Sequence, residues 1–232
     1  MKDISDLEVR QTRIFPIDTL PITRLLTPAV MKGFNERFGW GGTETVEGDI
    51  VLKPGFFPGP DAKDAVIIRS LQFNMRRLIL SVVGDSATAN IVFDAIATFF
   101  EDQAQWTRTE PIVLVEDTGC VVTLAFDWTA LVAPAFREFA LGTMERFGKY
   151  ARPEIRGMGF GLRFAYPAVP PELQERGVTL GERVLTIEPR LNVPLAERRY
   201  YTNSPSDSDT HIALLESLEH ALSQGGKSGA KR

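Results

Sequence analysis

Pro28-Ala29-Val30-Met31-Lys32-Gly33-Phe34-Asn35-Glu36-Arg37-Phe38-Gly39 decides how the rest of the chain is read, because its pattern comes back. Pro134-Ala135 opens a second helix-like run that closes on Glu145-Arg146-Phe147-Gly148, 109 residues after the first such tetrapeptide. The second run is about one helical turn longer. In the first copy Thr27 can cap the helix, Pro28 suits its first turn, and Gly39 can supply a left-handed C-terminal cap. Val30, Met31, Phe34 and Phe38 fall at helical spacing, which predicts one face packed on a sheet.

A second repeat has its own offset. Asp85-Ser86-Ala87-Thr88 holds helix-capping residues ahead of an apolar stripe of Ile91, Val92, Ala95, Ile96, Phe99 and Phe100. Asp207-Ser208-Asp209-Thr210 stands 122 residues later, ahead of Leu214, Leu215, Leu218 and Leu222. The larger offset places extra residues between the two helices of the second copy, with the order of elements preserved.

Strand-like stretches fill the remainder. Leu7 to Ile17 predicts a first strand ending at Pro16, and Thr43–Lys53 a second. Ala65–Phe73 and Arg77–Val83 predict a hairpin about Asn74-Met75-Arg76, with apolar residues at every second position. Ile112–Glu116 and Cys120–Trp128 read as two strands meeting at Asp117-Thr118-Gly119. Glu154–Tyr166 is the most regular strand: Gly157, Gly159, Gly161 and Ala165 share a face with Arg163. Arg183–Leu195 predicts a bent or edge strand, because Pro189 and Pro194 cannot donate to a ladder, and a final helix spans 210–223.

The expected architecture is therefore α+β: an internally duplicated strand-helix-strand-strand-helix unit, with antiparallel sheets, helices on one face and a pseudo-twofold relation. Residues 1–106 form the first repeat, 107–224 the second, and 225–232 a flexible basic tail. This element order is similar to that of duplicated strand-helix-strand-strand folds such as bacterial effector-binding domains. It is more distantly similar to paired ferredoxin-like folds such as the CRISPR repeat-processing endoribonucleases. The likeness lies in element order, which carries no function.

Composition narrows the function classes. The 232 residues are 44% hydrophobic and 24% charged, as in an ordinary globular protein. A net charge of -4 argues against a broad electrostatic grip on nucleic acid. The single Cys120 excludes an intramolecular disulfide framework and any multi-cysteine metal site. Met1 to Arg10 lacks the apolar core of a signal peptide, and no long uncharged apolar run is present to span a bilayer, so a cytoplasmic location is expected.

No motif carries a reaction, and neither a cofactor, a metal nor a catalytic residue is expected. Asp117-Thr118-Gly119 matches the aspartic-protease tripeptide, but Glu116 precedes it and no second copy is present to share a proton. Cys120 would need a base, and the two histidines, His211 and His220, lie far along the chain in the last helix. Gly157, Gly159 and Gly161 sit within a strand, not in the strand-to-helix turn of a phosphate cradle.

The favoured expectation is a non-catalytic binding protein that holds a small molecule or a protein partner in the cleft or seam between the repeats. Its contact candidates are Phe56 and Phe57 on the Pro/Gly-rich loop 54–60, Gly157, Gly159, Gly161 and Arg163 on the glycine face, and Arg198, Tyr200 and Tyr201. An RNA-binding or RNA-processing protein is the disfavoured alternative, with Arg69, Arg76, Arg77, Arg156, Arg163, Arg198 and Arg199 as a phosphate track and the paired tyrosines stacking on bases. A structural subunit of a larger assembly, an oligomer included, is the third.

Overall fold

The computed structural model describes residues 1–125, 138, 160–164, 183–190 and 193–228. Strand β1 (Lys2–Ile14) is the spine, because it pairs along both edges. It is followed by a short helix α1 (Ile22–Leu25), helix α2 (Pro28–Phe38), and strands β2 (Thr43–Val46), β3 (Asp49–Leu52), β4 (Gly55–Phe57), β5 (Val66–Phe73) and β6 (Arg77–Val83). Helix α3 (Ser86–Ala104) leads to β7 (Val113–Thr123), then β8 (Phe160–Phe164), β9 (Arg183–Pro189), β10 (Arg199–Ser204) and helix α4 (Ser208–Ser228). This is a mixed α+β protein. Its described strands join one ten-stranded sheet in the order β2-β3-β5-β6-β1-β7-β10-β9-β8, with β4 added beside β5, and every described pairing is antiparallel.

Antiparallel partners in register point to the same face, so the register sorts the side chains. Val9 lies opposite Val82 and Thr118, and Cys120 opposite Thr202. These residues face the helices: Val9 and Val82 share a core with Val92 and Ile96 of α3, while Cys120 and Val122 share a second core with Leu215 of α4. Helices α3 and α4 therefore cover one face of the sheet, on either side of the central β1–β7 pair.

Local chemistry explains the element ends. Gly39 takes φ 57° and its N–H closes α2 on the Asn35 carbonyl. Asp85 accepts from the Thr88 N–H at 2.7 Å and starts α3. The face of α2 that carries Phe34 and Phe38 meets Trp40, Phe57 and Phe99 in a cluster of aromatic rings. Gly55 is required beside it. A Cβ there would stand 2.5 Å from the Trp40 ring, and Trp40 is itself wedged against Phe34 and Phe38. Gly55→Ala is expected to cost about 2 kcal/mol through overpacking, measured as a lowered urea midpoint with an unchanged m-value.

Several expectations are corrected. Thr43–Lys53 is not one strand: Glu47 and Gly48 both take positive φ, 51° and 86°, and turn the chain between β2 and β3. Loop 54–60 contributes β4 to the sheet. Asp117-Thr118-Gly119 is no hairpin turn but the middle of β7, where Thr118 is paired with Val9 on one side and Ser204 on the other. Residues 199–201, assigned to no strand by the sequence pattern, belong to β10. Helix α4 begins at Ser208 and its backbone runs to Ser228, so the first residues of the expected tail are helical.

Candidate functional site

The centre of the molecule is the β1–β7 pair, and its two faces differ in chemistry. On the helix side the N-termini of α3 and α4 meet. The Ser86 N–H donates to the Ser208 hydroxyl at 3.1 Å, and the Ser208 N–H donates to the Ser86 hydroxyl at 2.9 Å. Two converging N-termini place two partial positive charges together. Asp85 and Asp207 cap the helices, the Ser86 hydroxyl donates to Glu116 at 2.9 Å, and both cap carboxyls are held below the usual range by their bonds to Thr88 and Thr210. Beside them, the Gln11 amide donates to Asn90 and Glu116, while buried Arg13 donates to Gln11 and Asn90 and stacks 3.5 Å over the Phe93 ring. The helix side of the β1–β7 pair is thus lined by side chains bonded to one another.

Ser86→Ala and Ser208→Ala each remove one of the two reciprocal acceptors and are each expected to cost about 1 kcal/mol. Because the hydroxyls touch, the double variant should depart from additivity by about 0.5 kcal/mol or more in a denaturation cycle. Strict additivity would mean that the helices do not meet there.

Further along α4, His211 is wholly buried against β7 and β10. Its Nδ1 bonds the Ser204 hydroxyl at 2.7 Å, and its Nε2 lies 2.9 Å from the Thr202 hydroxyl and 3.5 Å from Cys120 Sγ. A cysteine beside a histidine invites comparison with a nucleophile–base pair. The electrostatics oppose it: burial pushes the Cys120 thiol up and pushes His211 down from 6.5 to about 4, so both groups stand neutral at pH 7. The pair is a satisfied polar core, sealed from substrate.

The other face of the sheet carries no described helix. Glu8, Arg10 and Thr12 of β1 point there, with Asp117 opposite Arg10 and Gly119 opposite Glu8. Arg69 Nε reaches Glu8 at 3.5 Å. Tyr201 lies on this face at 46% exposure, and its hydroxyl stands 3.0 Å from the point a Gly119 Cβ would occupy. Gly119 thus leaves room for the phenol to lie across β7 toward β1. Burial of its ring edge, and then the Glu8 charge, raise the Tyr201 hydroxyl above its ordinary pKa, so it stays a neutral donor.

The sequence-derived candidates scatter. Tyr200 is buried in the helix-side core, as alternation along β10 demands once Tyr201 faces away. Phe57 packs on Phe38 at 6.1 Å between ring centroids, and Phe56 is half-buried. Arg198 donates to the Ala125 carbonyl at 2.6 Å, and Arg199 to the Ser5 hydroxyl at 3.3 Å. Arg77 is paired with Asp49, and Arg76 is half-buried in the β5–β6 turn. Gly161 is exposed on β8, which also contains Arg163, whereas Gly157, Gly159 and Arg156 lie outside the described residues.

Arg10, Glu8, Asp117 and the Gly119–Tyr201 contact were missed from the sequence. The one available signal was period-two alternation through Asp117-Thr118-Gly119, obscured by the turn character of that tripeptide. Among the described residues no group of three or more His, Cys, Asp or Glu is placed to hold a metal ion, and no helix is long and apolar enough to cross a membrane. No family model, no curated protein and no solved structure matches the chain.

Proposed function

We propose that the chain is an internally duplicated, non-catalytic binding protein that engages a protein partner through the face of its sheet that carries no described helix, at the seam between the two halves. Residues 1–106 would be one half and 107–224 the other. Two contacts support the duplication. Val9 lies directly opposite Thr118, 109 residues away, the same offset as the two Glu-Arg-Phe-Gly strings. Ser86 and Ser208, 122 apart, exchange reciprocal hydrogen bonds at the offset of the two capping clusters. A twofold axis brings equivalent residues against each other in this way. The sheet order supports it further, with β6 and β10 flanking the central pair and α3 and α4 following them.

The observation that carries the binding reading is Tyr201. Its ring is exposed on a sheet, anchored across Gly119 and opposite Glu188 of β9, on the face that also carries Glu8, Arg10, Arg69 and Asp117. An aromatic held by a rigid scaffold loses little entropy on binding, and Tyr and Arg are enriched among residues that dominate protein interfaces. The charges around it alternate in sign, which suits a protein surface better than a phosphate backbone. Immobilised wild-type protein should retain a partner from native extract that Tyr201→Ala and Arg10→Ala variants lose at least tenfold. Equal recovery by all three would overturn the reading, and loss of a small molecule instead of a protein would reassign its ligand.

The RNA alternative keeps one favourable observation, the sharing of this face by Arg10, Arg69 and Arg199 with Tyr201. It requires an affinity that falls steeply with salt. Glu8 and Asp117 among these arginines weigh against it.

A further inference from the structure

We propose that α4 is an acid-released latch: protonation of His211 undocks the helix from β7 and β10 and uncovers the strip formed by Cys120, Val122 and Tyr200. This concerns the helix side of the sheet and is independent of the partner face.

Among the described residues, β7, β10, β9 and α4 supply the groups that face His211. From β7 comes Cys120, a neutral thiol; from β10 come the hydroxyls of Thr202 and Ser204; β9, beside β10, contributes apolar Ile187 to the same core. On α4 itself Asp207 accepts the His211 backbone N–H, while its carboxylate is turned to Thr210. None of these supplies a negative charge to an imidazolium. The hydroxyls can rotate to accept from a doubly protonated ring, so hydrogen bonding survives protonation. A buried charge without a counter-charge does not come without large cost, and the ring escapes that cost by reaching water. Burial is also the sole cause that holds His211 near 4.

Release of α4 is the cheaper response because its apolar grip is small. Leu215 is its one fully buried apolar side chain among the described residues, supported by partly buried Leu218 and Leu222. Helix α3, by contrast, buries Ala89, Val92, Phe93, Ile96, Ala97, Phe99, Phe100 and Ala104. Acid should therefore open the α4 side while the α3 side stays closed.

Cys120 is the single cysteine and lies under α4, so its labelling reports the latch. Labelling by a dithiodipyridine, normalised at each pH to a free cysteine peptide, should accelerate at least tenfold between about pH 7.5 and about pH 4.5. In His211→Gln the acceleration should be less than about twofold. A Cys120→Ser/Ala97→Cys variant reports the α3 core in parallel and should stay protected over the same range. A flat Cys120 profile in the wild type overturns the latch. So does simultaneous labelling at both positions, which would mean unfolding of the whole chain. Should His211→Gln fail to fold, the comparison of the Cys120 and Ala97→Cys profiles decides alone.

Discussion

Phe38→Ala is expected to cost about 4 kcal/mol, the largest effect of any single truncation considered, because a phenyl ring removed from a packed core loses its transfer energy and leaves a cavity. Phe38 has 0% exposure and touches the rings of Phe34, Trp40, Phe57 and Phe99. None of these can fill the gap readily. Trp40 is fixed by Gly55, Phe57 is tied into β4, and Phe34 and Phe99 are held by α2 and α3. Phe38→Leu retains part of the volume and should cost about half as much. Equilibrium urea unfolding measures both. A loss below about 1 kcal/mol for the alanine variant would show that α2 is only loosely attached to the sheet.

Acid is expected to weaken the fold in two stages with separate causes. His211 is lowered in the folded protein from 6.5 to about 4, so its stabilising contribution is fully present above about pH 6.5, declines as pH falls, and is gone below about pH 4. A shift of that size corresponds to about 3 kcal/mol, an upper figure because release of α4 would cap the loss. Asp49 acts lower. Burial would raise its carboxyl, but bonds from Arg77, Asn74 and Gln72 outweigh this and hold it below 3.8. Its contribution is therefore present above the ordinary carboxylate range and is lost only as pH falls beneath it. Unfolding free energy measured against pH should show the first decline in wild type and not in His211→Gln. The second should shrink in Asp49→Asn and persist in part, because Asp85 and Asp207 are also held below the usual carboxylate range. A single decline confined to the carboxylate range would contradict the assignment to His211.

The parts legible in the sequence are those fixed by local chemistry. Pro28 and Gly39 bracket α2, Asp85 marks the start of α3, and alternation over 66–83 gives the β5–β6 hairpin. The capping clusters at 85–88 and 207–210 mark the starts of α3 and α4, which meet at Ser86 and Ser208, whereas the second Glu-Arg-Phe-Gly helix, 133–148, lies outside the described residues apart from 138. Long-range pairing was not legible. Asp117-Thr118-Gly119 has turn composition, yet Val9 and Ser204 pair with Thr118 from opposite sides, and tertiary pairing overrides local preference. Tyr200 and Tyr201 look equivalent as neighbours; in a strand they must part, one to the core and one to the surface. Cys120 and His211 are 91 residues apart, and no local pattern brings them together.

The proposed binding face rests on the same kind of long-range placement. Glu8, Arg10, Asp117 and Tyr201 come from three strands that are adjacent only because β1 and β7 pair at the centre of the sheet. Hydroxyl-radical footprinting with the captured partner present and absent reads that face residue by residue. The oxidation rate of Tyr201 is expected to fall several-fold on partner binding while exposed Ile91 on α3 is unaffected. An unchanged Tyr201 rate together with protection of Ile91 or Leu214 on the helix side would contradict it.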